Sequence, residues 1–138
     1  MGNEPVKVLL DTHVWIWAAE GSKALGVKSR RLLTNRDTQR YVSPVSTLEI
    51  ARLVARREIL LACPLSEWVS RSMALLKLQT LELDHATAMD AYALPGDFHA
   101  DPADRQLVAT ARVHGLRLLT ADARILAYRQ VHSLPAGN

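Results

Sequence analysis

The 138-residue chain has a single cysteine, Cys63, so no disulfide can form within it. That usage suits a reducing cytoplasm. No apolar run approaches the roughly 18–20 residues that a membrane-spanning helix needs. The opening Met-Gly-Asn-Glu-Pro lacks the basic and apolar regions of a signal peptide. There is no H-E-x-x-H and no paired Cys/His spacing, which argues against a zinc site. A G-x-S-x-G elbow and a Gly-rich phosphate loop are both missing, so neither a serine hydrolase nor a nucleotide-binding loop is indicated. No repeat, low-complexity tract or linker divides the chain, and the expected organisation is one domain over residues 1–138.

What is present is an ordinary globular composition, 49% hydrophobic and 22% charged, with a net charge of +3. Thirteen of the 17 basic residues are arginine. The planar guanidinium fork pairs well with phosphate, which favours a nucleic-acid partner over a small neutral one. A basic but merely solvated surface explains the same charge.

Strand and helix signals alternate. Val6–Leu10 and Leu116–Thr120 read as buried strands, Tyr41–Ser43 and Leu81–Leu83 as shorter ones. Helices are expected over His13–Ala19, Val27–Arg36, Ser46 to about Arg57, Leu65–Leu76, Asp84–Leu94, Pro102–His114 and Ala123–Tyr128. Such alternation predicts an α/β fold, a mostly parallel sheet with helices on both faces. The stretch from 46 to 76 has no strand and predicts a protruding helical hairpin, with Leu53, Leu60, Leu61 and Trp68 exposed for a partner.

Four acids stand where a strand gives way to a helix or in a helix's first turn: Asp11, Glu49, Asp104 and Asp122. In open α/β sheets ligands bind outside the carboxyl ends of the strands, so these distant residues can meet there. Clustered carboxylates call for a hard divalent cation, because unpaired like charges at close range cannot all stay ionised. Each acid also has a plain alternative. Asp11 and Asp122 suit helix N-caps. Ser46-Thr47-Leu48-Glu49 is an S-x-x-E capping box, and Glu49 shares a helical face with Arg52 and Arg56. Asp101 is the natural cap for a helix opening at Pro102. Asp104 resists this treatment: Leu107, Val108 and Ala111 follow it at i+3, i+4 and i+7, so its carboxyl heads the core-facing stripe. A charge there must be paired or bind a metal. His13 and His99 flank two of these positions, within reach of a phosphate or substrate, but read more simply as structural or exposed. Trp15 and Trp17 read as core or dimer-interface residues more than as base-stacking platforms.

Four segments together, Leu9-Leu10-Asp11-Thr12-His13, Val42-Ser43-x-x-Ser46-x-x-Glu49-Ile50-Ala51, Asp101-Pro102-x-Asp104-Arg105 and Leu118-Leu119-Thr120-Ala121-Asp122, resemble the PIN-domain nucleases. Within them the likeness is to the VapC-type ribonuclease toxins of toxin–antitoxin pairs. It runs from about Val6 to Tyr128. The resemblance implies a PIN-like three-layer α/β/α fold and an endoribonuclease in which Asp11, Glu49, Asp104 and Asp122 hold Mg²⁺ or Mn²⁺. Thr12, Thr120 and Asp101 would line the site. It further implies an RNA substrate, a protein antitoxin reaching the carboxylates with an arginine, and a homodimer or toxin–antitoxin hetero-oligomer without membrane association. Arginines over 27–36 and 52–57 would then bind backbone phosphates. Leu48 and Ala103 depart from the family pattern, where aromatic residues are common. Two other readings stand beside this one: a non-catalytic binding module whose acids are caps, and a phosphotransfer enzyme using Asp11 as nucleophile.

Overall fold

A computed structural model describes residues 4–138. The strands are β1 (Lys7–Leu10), β2 (Gln39–Val42), β3 (Gln79–Thr80), β4 (Arg117–Thr120) and β5 (Ser133–Pro135). They form one sheet in the order β3-β2-β1-β4-β5, with every pair parallel. The expected mostly parallel sheet is thus wholly parallel. β1 is central, with Leu9 opposite Tyr41 on one side and Leu118 on the other.

Side chains alternate along these strands, as the period of two requires. Val8 and Leu10 of β1 and Leu119 of β4 enter one core with Val14, Trp15, Leu33, Ile50 and Trp68. Leu9 and Leu118 enter the other, with Leu107, Val108, Ala111 and Ile125. The helices on the first face are α1 (Thr12–Glu20), α2 (Val27–Thr34), α3 (Pro44–Ala55) and α4 (Leu65–Leu76). On the second are α6 (Pro102–His114), α7 (Ala123–Ala127) and, packed on α6, α5 (His85–Asp90). The result is three layers, α/β/α. Both faces are covered, which is why the strands read as near-continuous apolar runs.

Several sequence expectations are corrected. α3 begins at Pro44, not Ser46, because Pro presets the φ angle of a first helical turn. Ser43 is its N-cap, accepting from the Val45 N–H at 3.1 Å. The Ser46–Glu49 capping box therefore does not exist: Ser46 is inside the helix and buried. Leu81–Leu83 is not a strand; the β ladder is at Gln79–Thr80 just before it, and Leu83 is exposed. α5 ends at Asp90, ahead of Pro95, which disfavours helix in its predecessor. β5 was not expected. It is a short edge strand ending in Pro135, where a missing N–H does no harm. Gly26 lies against it so closely that an added Cβ would stand 2.9 Å from the Gly137 backbone. Trp68 is not on the surface: it is 8% exposed and packs against Trp15 with ring centroids 5.2 Å apart. Leu60 at the hairpin tip does face outward, 88% exposed, while Leu53 and Leu61 are half-buried.

Candidate active site

The connection after β1 leads to β2 on one side, and the chain later returns to lay β4 on the other. Beyond the carboxyl ends of β1 and β4 the helices diverge and leave a crevice, the expected ligand position in such a sheet. Asp11 follows β1 directly and Asp122 follows β4 after one residue. The parallel register sets Leu10 beside Leu119, and the ladder continues as Asp11 N–H donates to the Leu119 carbonyl at 3.0 Å.

Three helix N-termini open at this crevice, each capped by an acid. Asp11 accepts from the Thr12 N–H at 2.7 Å. Asp101 accepts from the N–H groups of Ala103 and Asp104 at 2.9 and 3.2 Å. Asp122 accepts from those of Arg124 and Ile125 at 2.8 and 3.3 Å. Capping and pocket-lining are therefore not alternatives here. Each cap engages Oδ1 of its carboxylate, while the positive helix ends favour the anion.

Around Asp11 the polar groups form a chain. The Thr120 hydroxyl donates to Asp11 Oδ2 at 2.6 Å and accepts from the Asp122 N–H at 3.0 Å. The Thr12 hydroxyl, buried, donates to Ser46 Oγ at 2.9 Å and locks the start of α1 to α3. That lock fixes α3, and Glu49, one turn beyond Ser46, faces the crevice. Among the described residues no salt bridge ties Glu49 to Arg52 or Arg56.

Asp104 is 9% exposed at the head of the α6 stripe. Its Oδ2 lies 3.1 Å from His99 Nε2, in contact but off the line of a hydrogen bond, and 3.6 Å from an Arg124 terminal nitrogen. Arg105, its neighbour, turns away and donates to the carbonyls of Ala91, Phe98 and His99, which holds the 91–99 loop on α6.

Asp11, His13, Trp17, Glu49, Asp101, Asp104, Ala121, Asp122 and Arg124 line one pocket of about 360 Å³. All four acids singled out from the sequence, and Asp101, border it. Thr12 and Thr120 lie beneath, buried, as their hydrogen bonds require. Arg124 escaped the sequence reading, and His13 and Trp17, which read there as structural, border the pocket as well. An arginine two residues after the cap Asp122 was the available signal for the first. A larger, chiefly aliphatic groove of about 640 Å³ adjoins, between α3 and α6. It shares Glu49 and Asp101 and is lined by Val45, Leu48, Arg52, Pro102 and Ala103 among others.

The electrostatics follow from crowding. Burial raises the Asp11 carboxyl above its ordinary range despite the Thr120 and Thr12 bonds. Burial, then Asp11 and Asp101, raise Glu49. Asp104 is pushed from 3.8 to about 7, first by burial and then by Asp101, Asp11, Asp122 and Glu49. Asp122 goes the other way: burial would raise it, but bonds from the Arg124 side chain and the Arg124 and Ile125 N–H groups outweigh that. Arg124 stands 3.2 Å from Asp122 and so supplies the pocket's one close guanidinium among the described residues. Such a pocket is short of positive charge. Its donors are hard oxygens, fitting a hard divalent cation, though no three His, Cys, Asp or Glu side chains among the described residues already stand close enough to enclose an ion.

The PIN domain family profile matches residues 8–131. Ribonuclease VapC22 of Mycobacterium tuberculosis (strain ATCC 25618 / H37Rv) is 34% identical over 122 residues, 88% of this chain and 92% of that protein. Among solved structures, VapBC2 from Rickettsia felis bound to a DNA fragment from their promoter aligns at a TM-score of 0.68 with 12% identity, over 94% of this chain and 98% of the matched one. A toxin-antitoxin complex from Klebsiella pneumoniae aligns at 0.66 with 18% identity, over 94% and 97%. At those identities the two structures speak for the fold.

Proposed function

The chain belongs to the PIN-domain family, and from that premise we propose that it is a divalent-metal-dependent endoribonuclease, the toxin of a toxin–antitoxin pair. The observation that carries this reading is the convergence of Asp11, Glu49, Asp104 and Asp122, from four separate segments, on one pocket. The ribonuclease named VapC22, alike over most of both chains, supports the substrate class.

Asp11, Asp104 and Glu49 would hold Mg²⁺ or Mn²⁺, with Asp122 completing the set. When bound, the ion supplies the Lewis acidity that lowers the pKa of an attacking water and offsets charge gathering on the phosphodiester. The chain's own groups prepare that position. Thr120 and the Thr12 N–H fix both oxygens of Asp11, so its carboxylate reaches into the pocket in one orientation. Arg52 borders the adjoining groove, and Arg56 and Arg57 are exposed in the turn at the C-terminal end of α3; they bind flanking phosphates and make affinity fall with salt. A protein antitoxin would block the same carboxylates, and the exposed Leu60 is offered to that partner or to a second copy. The work is cytoplasmic.

The test is cleavage of single-stranded RNA by purified protein in Mg²⁺ or Mn²⁺ and in EDTA. Cleavage should require the ion and fall at least about a hundredfold in Asp11→Ala and Asp104→Asn, each removing charge from the transition-state electrostatics. Equal cleavage by wild type and both variants would reject the assignment. Ion-independent folding with no cleavage of any RNA would favour a binding module instead.

A further inference from the structure

We propose that Trp17 is a stacking platform for a nucleobase next to the scissile phosphate; the inference rests on the endoribonuclease reading and adds the residue that meets the base. Three tryptophans are present, and they differ in placement. Trp15 is fully buried with its Nε1–H donating to Ser72 Oγ at 2.9 Å, and Trp68 is buried against it. Trp17 is half-buried and lines the acid pocket. His13, one helical turn before it on α1, lines the same pocket, with ring centroids 6.4 Å apart in an edge contact at 60°.

Carboxylates and a hard cation engage a phosphate and have no use for an indole. An aromatic ring open beside charged groups costs exposed apolar area that Trp15 and Trp68 avoid by facing inward. What the ring adds is a flat, polarisable face in the same pocket as the carboxylates. A phosphodiester held there carries a base on either side. Inside a duplex those bases are stacked on one another; in a single strand they are free to stack on an aromatic side chain. The arginines contact phosphate and do not distinguish the two forms. Trp17 does.

Trp17→Leu keeps apolar packing against the core and removes the aromatic face; Trp17→Phe keeps a ring. For single-stranded RNA, Trp17→Leu should raise KM roughly ten- to a hundredfold, the usual worth of one stacked base, with kcat little changed, and Trp17→Phe should stay within about threefold. A second readout does not depend on cleavage. In a Glu49→Gln background with Mg²⁺, a short mixed-sequence oligoribonucleotide should quench tryptophan emission saturably. That quenching should vanish when Trp17→Phe is added, and a fully paired duplex should quench far less. An unchanged KM in a folded Trp17→Leu protein overturns the proposal, as does quenching that persists without Trp17. Loss of a dimer in Trp17→Leu with KM unchanged also overturns it and marks a subunit contact. If wild type cleaves no RNA, the ribonuclease reading fails by itself, and the titration alone then decides whether Trp17 meets a base.

Discussion

Asp104 holds its proton to about pH 7, whereas in an unfolded chain it would lose it near 3.8. A folded pKa above the unfolded one means the native state binds the proton more tightly. Stability of the ion-free protein therefore falls as pH rises from about 4 to about 7, and the cost is complete above that. Asp104→Asn removes the charge and keeps the shape. In EDTA at about pH 8 its melting temperature should exceed wild type by several degrees, a recovery on the order of 2–4 kcal/mol, and should match it near pH 4. Calorimetry at the two pH values checks this; equal melting points at both would show the carboxyl is not strained. Arg124 sets a second expectation. Its guanidinium reaches both Asp122 and Asp104, so a cation entering the pocket must displace it. Arg124→Ala should bind Mn²⁺ at a several-fold lower concentration by titration calorimetry, and weaker binding would mean that Arg124 assists rather than competes. Asp11, Asp101, Asp104 and Asp122 were legible as candidates because each follows a strand or opens a helix, whereas Glu49 stood out through a helix start at Ser46 that the fold moves to Pro44. The arginine was not, since only the fold turns its exposed side chain back over two carboxylates.

The element that most exposed the limits of the sequence is α3. Ser43-Pro44 and Ser46-x-x-Glu49 are both helix-start signals, three residues apart. Proline at the first position prevailed, and Glu49 then falls beyond the capping turn, free to face the crevice. On α1 the apolar run His13-Val14-Trp15-Ile16-Trp17 does not say which indole is inside, because the helix is apolar nearly all round. Contact with α4 decides it. Trp15 meets Trp68 and Ser72, and Trp17 is left at the pocket. Ser72→Ala would strip the buried Trp15 Nε1–H of its acceptor without opening a large cavity. Urea unfolding should show a loss of about 1–3 kcal/mol, the cost of an unsatisfied buried donor. A neutral result would mean that the indole finds another acceptor. β5 went unseen and β3 was expected two residues too late for a simpler reason: strands of two or three residues leave no period to count.

For the whole molecule, the α/β/α layering and parallel sheet followed from alternation of apolar runs with amphipathic segments, and the position of the crevice followed from strand order. The sequence could not show that order directly, since β1 gains its second neighbour only from residues 117–120. Of the four acids, Asp11 and Glu49 belong to the first half of the chain and Asp104 and Asp122 to the last third. A chain cut in the exposed turn after α3, near Arg57–Leu60, should yield two fragments that are each inactive on RNA and regain cleavage when mixed, as β4 slots beside β1. Recovery by either fragment alone would contradict a site drawn from both. The same arrangement bears on synthesis. A ribosome making this protein is surrounded by messenger and ribosomal RNA, and the growing chain stays beside it throughout elongation. Until β4 has emerged and inserted next to β1, Asp122 and the Thr120 hydroxyl that orients Asp11 are missing from the site. On the ribonuclease reading, a chain that has not yet placed β4 beside β1 therefore lacks part of the site that would cut RNA.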